Sequence, residues 1–390
     1  GGAGERSEPA LGNSANSSSA ARQEARRERR SAAWSLRRRL WELSSLSRVR
    51  GCGRVAHVAG AGPTLRITGE GENRTAGFAG LVTCGSVWAC PVCARKIAAR
   101  RAQEIDEVVT AATANGGSAA LITLTLRHHS GHRLSESWDA LRYAWSRVTS
   151  GRGYQDDREQ FGIVGWVAAV EVTIGEAGWH PHLHVLLVLD SPVSRELLDE
   201  LAGRWFVRWE RALGRRGFAA VAEKGGLDAR PVDTGAGAVH ALAEYLSKVA
   251  REVTGGPSKR GRRGNRTPFQ VLADGLATGL ADDIEAWWHW ESASHGRRQV
   301  TWSRGLREFY GLKAVQSDEE IAAEDMGGED VLALPADTWR AVRPCAEELL
   351  AAAEADGRVG AEIWLASRGL AFTRATLAPR RRRRLRIAHE

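Results

Sequence analysis

Long apolar runs are missing from this chain. None of about 18 consecutive apolar residues occurs in its 390 residues, which argues against a membrane-spanning helix. No charged segment followed by an apolar stretch opens the sequence, so no secretory signal is expected. The numbering starts at Gly1 without an initiator Met, so residues upstream of it are expected, and the expected compartment is the cytoplasm. Cysteine is scarce, with Cys52, Cys84, Cys90, Cys93 and Cys345 the five present. Without a secretory signal, three cysteines within ten residues point to a metal site before a disulfide framework. Tyrosine is scarcer still, at positions 143, 154, 245 and 310. Lysine is nearly replaced by arginine, five against fifty. GC-rich coding accounts for much of that ratio, though not for where the arginines cluster. Arginine grips phosphate bidentately and stacks on bases, which suits a nucleic-acid partner.

The length suggests two or three domains with ample core. The formal net charge is +8, concentrated at the two ends. Residues 1–50 hold eleven Arg and five Glu, and residues 374–390 hold seven Arg and one Glu. The stretch between them is therefore slightly acidic. Composition divides the chain into a disordered basic arm over 1–48 with a helix near Trp34–Leu43, a cysteine lobe over 49–96, a central domain over 97–312, a helical segment over 313–378 and an Arg-rich tail over 379–390. The basic stretch 258–266 and the two arms could track phosphates. Trp287, Trp288 and Trp290 read as core.

The richest stretch is His180-Pro181-His182-Leu183-His184, which runs into Val185-Leu186-Leu187-Val188-Leu189. On a strand, side chains alternate between faces, so His182 and His184 share one side and Leu183, Val185, Leu187 and Leu189 the other. Two neighbouring imidazoles on a rigid strand can hold a divalent metal. The segment Ile163–Ile174 reads as a second strand, with Glu171 off its apolar face. Gly175-Glu176-Ala177-Gly178 reads as the turn between them. A turn centred between Ala177 and Gly178 places Glu171 opposite His184, and a slip of two residues still leaves it opposite His182. Glu171, His182 and His184 are thus the candidate ligands of a divalent cation. Imidazole plus carboxylate suits Mn²⁺ or Mg²⁺ with a phosphate, with Zn²⁺ as an alternative.

A nucleophile is available downstream. Gly237–Val253 has an apolar stripe at helical period, and Tyr245 and Lys248 share a face beside it. A tyrosine can attack a phosphodiester that a metal polarises, and a lysine can offset the phosphate charge. A Tyr and a solvated Lys at this spacing are also common on ordinary helices.

Taken in order, three segments resemble the HUH endonuclease initiators of rolling-circle plasmid replication, in the single-tyrosine bacterial plasmid branch. They are Leu121-Ile122-Thr123-Leu124-Thr125-Leu126, then Gly178-Trp179-His180-Pro181-His182-Leu183-His184, then Tyr245-Leu246-Ser247-Lys248. The resemblance covers roughly residues 50–312. It implies site-specific nicking of single-stranded origin DNA, with Tyr245 joined to the 5′ phosphate and a freed 3′-OH to prime synthesis, and with a host helicase as a partner. Some members of this branch carry a Glu four residues before the Tyr to activate water. Ala241 stands there, and Glu244 abuts the Tyr instead. Glu244 points about 100° away on a helix, so it, Glu171 or a second protomer is left as the terminating base.

Cys90-Pro91-Val92-Cys93 has zinc-knuckle spacing, Cys84 precedes it by five intervening residues, and Cys52 is the natural fourth ligand, with His57 as a substitute. Similar cysteines precede the nuclease motifs of resembling initiators. The Zn²⁺ would be structural. Buried thiols without metal are the plainer alternative, and Cys345 reads as core. The expected architecture is α+β, with a central antiparallel sheet carrying the histidine strand, flanking helices, an N-terminal cysteine lobe and a C-terminal helical segment. The competing functions are an HUH transposase and a zinc-containing DNA-binding regulator without catalysis; activated-water hydrolysis is a weaker one.

Overall fold

In a computed structural model, residues 14–232, 265–324 and 327–375 are described. Nine strands among them sort into two antiparallel sheets. One contains β1 (Thr64–Thr68), β2 (Thr75–Ala79), β8 (Glu329–Ala333) and β9 (Thr373–Arg374) in the order β2-β1-β8-β9. The other contains β3 (Ser118–Thr125), β4 (Ile163–Gly175), β5 (Gly178–Leu189), β6 (Leu227–Val232) and β7 (Val300–Trp302) in the order β6-β3-β5-β4-β7. The α+β class expected from the sequence is what the chain adopts.

The chain divides into two compact units. The smaller comprises residues 1–31, 51–82 and 325–390 and holds the first sheet. Its β1 pairs with β8, placing Thr64 beside Ala333. The C-terminal segment is therefore not purely helical. Its two strands are short and acidic or polar at their outer ends, so they carry little periodic signal. Its main helix, Ala346–Ala366, breaks at Asp356 and Gly357. The N-terminal arm is helical over Ser14–Leu43, well beyond the expected Trp34–Leu43. Ala, Arg, Glu and Gln dominate its middle, and all are good helix formers.

The larger unit, residues 32–50 and 83–324, holds the second sheet. β4 and β5 form a long hairpin whose turn is only Glu176-Ala177, because Gly175 pairs with Gly178. Gly178 has φ +88, and a Cβ there would meet the Ser130 Cα at 3.0 Å, so only glycine fits without displacement. The turn is centred one residue earlier than the sequence arithmetic assumed. Each pair consequently shifts by two, and Glu171 stands opposite His182, not His184.

β5 is buried on both faces over its second half. Leu183, Val185, Leu187 and Leu189 are at most 3% exposed, and so are Leu186 and Val188 between them. On the histidine face the core is closed by Ile105, Val108, Val109 and Ala112 of helix Pro91–Ala114, packed with Leu121, Val167, Leu186 and Val188. On the opposite face Trp166 meets Trp145 of helix Leu134–Val148 edge-on at 4.8 Å. Trp145 in turn meets Trp205 of helix Arg195–Gly214 at 5.5 Å. Each buried leucine or valine contributes about 1.5–3 kcal/mol relative to exposure. Deleting one, as in Leu187→Ala, would cost about 2–5 kcal/mol. The sheet is a stiff platform for the histidine strand.

Helix Ala281–Ser294 carries the tryptophan cluster. Trp287 and Trp290 are buried, and Trp290 donates its indole N–H to the Trp88 carbonyl at 3.0 Å. Trp288 is 47% exposed, unlike the core position expected, because consecutive helical residues point about 100° apart. Its indole donates to the Leu43 carbonyl instead.

Candidate metal centres

Glu171 on β4 and His182 and His184 on β5 converge. The two imidazole Nε2 atoms both face Glu171 Oε2; His184 Nε2 lies 3.1 Å from it and His182 Nε2 is in direct contact. The three candidate ligand atoms all lie within 4.8 Å of one another. The convergence follows from the ladder. Glu171 is directly across from His182, His184 is the diagonal neighbour, and all three project to one face. The side chains keep 13–14% exposure.

Thr123 of β3, the neighbour of His184 on its other side, completes the arrangement. Its Oγ1 is 3.0 Å from His184 Nδ1. With Nε2–H donated to Glu171, Nδ1 accepts from that hydroxyl; with a cation on Nε2, Nδ1–H would donate to it instead. Thr123 is thus placed to orient the His184 ring, a role that its position in a β-branched run does not reveal.

Electrostatics favour a neutral His184 and a charged Glu171. Burial pushes the Glu171 carboxyl upward, but hydrogen bonds from His182 and then His184 overcome it and hold it well below the usual carboxylate range. Burial lowers the His184 imidazole, although its hydrogen bond to Glu171 pulls the other way. Burial, with the nearby His182 and His128, lowers His180 to about 4. Neutral imidazoles and an ionised carboxylate are the forms that ligate metal. Donor type and spacing fit a divalent cation.

The histidine surface is larger than expected. His180 stacks on His128 at 4.5 Å, and His129 lies 3.7 Å from His132, which also packs on Phe218. His128, His129 and His132 sit in the loop directly after β3. The signal was present in the sequence, as three histidines within five residues after a strand.

Cys84, Cys90 and Cys93 form the second group. Their sulfurs lie within 4.8 Å of one another, and Cys84 Sγ is 3.6 Å from Cys93 Sγ. Two thiolates at about 2.3 Å from a tetrahedral Zn²⁺ would be about 3.8 Å apart, so the spacing fits. Cys90 is the N-cap of helix Pro91–Ala114, and Pro91 starts that helix, where its missing N–H costs nothing. Cys84 begins a tight turn in which the Ser86 N–H donates to its sulfur at 3.4 Å. Gly85 has φ +65, and a Cβ there would meet the Glu319 backbone at 2.7 Å. Cys52 is fully buried, as a ligand or a core thiol would be, whereas His57 is exposed. Cys345 is only half-buried, unlike the core position expected, because it stands at the start of helix Ala346–Ala366. Tyr245, Lys248 and Glu244 lie outside the described residues, as does the helix Gly237–Val253 expected to carry them.

The profile of the family described as "Replication protein" matches residues 80–333. That span contains the whole histidine sheet and the three clustered cysteines. The chain belongs to the Replication protein family. It is also 30% identical over 352 residues to the Streptomyces lividans protein named "Protein rep", covering 73% of this chain and 77% of that one. A Streptomyces cyanogenus protein named "Neomycin resistance protein" is 34% identical over 159 residues, 34% of this chain and 36% of that one. No solved structure matches. No helix among the described residues is long and apolar enough to cross a membrane.

Proposed function

We propose that this replication protein initiates rolling-circle replication of a plasmid by nicking single-stranded origin DNA. The observation that supports the reading most is the convergence of Glu171, His182 and His184 on one point of a rigid sheet. Mn²⁺ or Mg²⁺ held there would supply Lewis-acid polarisation of the scissile phosphate.

The residues take the following roles. His182 and His184 present Nε2 atoms, Glu171 presents a carboxylate, and Thr123 holds the His184 ring in place. The Tyr245 oxygen attacks the scissile phosphorus, and the P–O3′ bond breaks. The tyrosine proton passes to solvent or a nearby base, and the displaced 3′ oxygen takes up a proton. The products are a 5′-phosphotyrosine and a free 3′-OH, so the phosphodiester energy is kept for rejoining. Lys248 offsets the charge that builds on the phosphate oxygens. Glu244, Glu171 or a second protomer serves as the terminating base. Cys84, Cys90 and Cys93, with Cys52 as the fourth thiolate, would hold a structural Zn²⁺. A host helicase is the expected partner that opens the duplex behind the nick.

The test is a denaturing gel of the protein incubated with Mn²⁺ and single-stranded oligonucleotides tiling its replicon's origin. A covalent adduct should form with the wild type and vanish with Tyr245→Phe and with His182→Ala. Binding that is indifferent to Tyr245, with no adduct on any oligonucleotide, would move the protein to the class of non-catalytic DNA-binding regulators.

A further inference from the structure

Two loops of the larger unit meet beside the histidine strand. One, residues 126–133, follows β3, and the other, residues 215–221, follows helix Arg195–Gly214. The Arg127 N–H donates to the Ala219 carbonyl at 2.7 Å and ties them together. Neither loop contains an acidic residue, and between them they carry Arg127, Arg133, Arg215 and Arg216. All four arginines are exposed, and none is ion-paired to a carboxylate among the described residues. Arg216 lies over the Tyr143 ring, 4.2 Å from its centroid. The acid that acts on this surface is Glu136, in the first turn of helix Leu134–Val148, which bears on His132.

The same loops hold a tier of three rings. His132 packs on Phe218 at 4.7 Å on one side and on His129 at 3.7 Å on the other, so His132 is the middle ring and the exposed His129 the outer one. The backbone pins both imidazoles. The Gly131 N–H donates to His129 Nδ1 at 3.1 Å, and the His129 N–H donates to His132 Nδ1 at 3.3 Å. A Cβ on Gly131 would stand 3.1 Å from the His129 ring, so the ring is seated on its own loop. A ring held this way loses little freedom when a ligand lands on it. The tier also adjoins the metal-binding group. His128, the residue before His129, stacks on His180 at 4.5 Å, and His180 is 5.1 Å from the His182 ring.

We propose that His129 is the platform on which one unpaired base of the bound strand stacks, and that Arg127, Arg215 and Arg216 hold the phosphates beside it. Rings flanked by exposed cations match single-stranded DNA, in which every base offers a π face and every linkage a negative charge. The strand would leave the metal-binding group past His180 and His128 and run out over the joined loops. This inference rests on the single-strand nicking reading and gives that strand a course on the surface.

The test is fluorescence anisotropy of the full chain with labelled oligo-dT and with an abasic deoxyribose-phosphate strand of the same length, over a series of salt concentrations. His129→Ala should weaken the dT strand about tenfold and leave the abasic strand unchanged. His129→Trp, which enlarges the aromatic face, should bind dT at least as tightly as the wild type. Replacing Arg215 and Arg216 together by Ala should weaken both strands and lower the salt slope by about 1.4. Equal losses on both strands in His129→Ala, or none on either, would overturn the stacking contact. An unchanged salt slope in the double arginine variant would overturn the phosphate contacts. If the wild type bound neither strand at low salt, the single-strand reading itself would fall. Tight wild-type binding with unaffected variants would remove only this surface.

Discussion

The imidazole–carboxylate group and the cysteine group are built from different materials and kept at different depths. Glu171, His182 and His184 are fixed by strand pairing and remain partly open, at 13–14% side-chain exposure. Cys84, Cys90 and Cys93 are fixed by a glycine turn and a helix start and are 0–4% exposed. Buried thiolates suit a structural metal, whereas a partly open set of nitrogen and oxygen donors can admit a substrate oxygen. Depth, more than ligand count, separates the two.

Breaking each group should therefore produce opposite losses. Cys90→Ser should have the largest effect: zinc content falls, and the domain loses several kcal/mol with its activity. Metal analysis and thermal melting of the purified variant read both losses, and full zinc retention would contradict the assignment. His182→Ala should cut adduct formation by more than about 100-fold, since even outer partners of metal ligands are worth 10–100-fold. Its melting temperature and zinc content should match wild type, and a parallel fall in stability would blur the contrast. Thr123→Val removes the hydroxyl that orients His184 while keeping the shape of the side chain. A loss of about 10–100-fold in metal affinity is expected, read by Mn²⁺ titration of adduct yield, with higher Mn²⁺ recovering the yield.

The smallest effect concerns pH. His180 titrates near 6.5 when unfolded and is lowered to about 4 in the fold, with burial as the first cause. Between those values the unfolded chain binds a proton that the folded chain refuses. Stability from this group is thus full above about 6.5 and drains away as pH falls toward 4. In chelated protein, His180→Asn should flatten that part of a stability–pH curve measured by denaturant melts. An unchanged slope would mean that the imidazole is open to water.

Much of this site was legible from the sequence. Two alternating histidines before a buried run, a carboxylate on the preceding strand and a glycine-flanked turn define the hairpin. The register was harder. Gly175 and Gly178 bracket the turn symmetrically, and only the backbone shows that both belong to strands. Two-sided burial of β5 was signalled by its unbroken apolar run, which is the mark of a strand covered on both faces. The union of β1 with β8 was not legible, because five-residue strands so far apart in sequence carry no local trace of their pairing. Thr123 and the loop histidines were visible but lacked a spatial reason to be grouped.

That distant pairing also has a timetable. β1 leaves the ribosome some 260 residues before β8, its neighbour in the sheet. At about 5–20 residues per second, one edge of β1 waits roughly 15–50 s for its partner while the intervening residues are being made. A bare strand edge of that lifetime invites pairing with other nascent chains. On crowded polysomes the yield of this protein should depend on chaperones that shield that edge, even if the finished protein is stable.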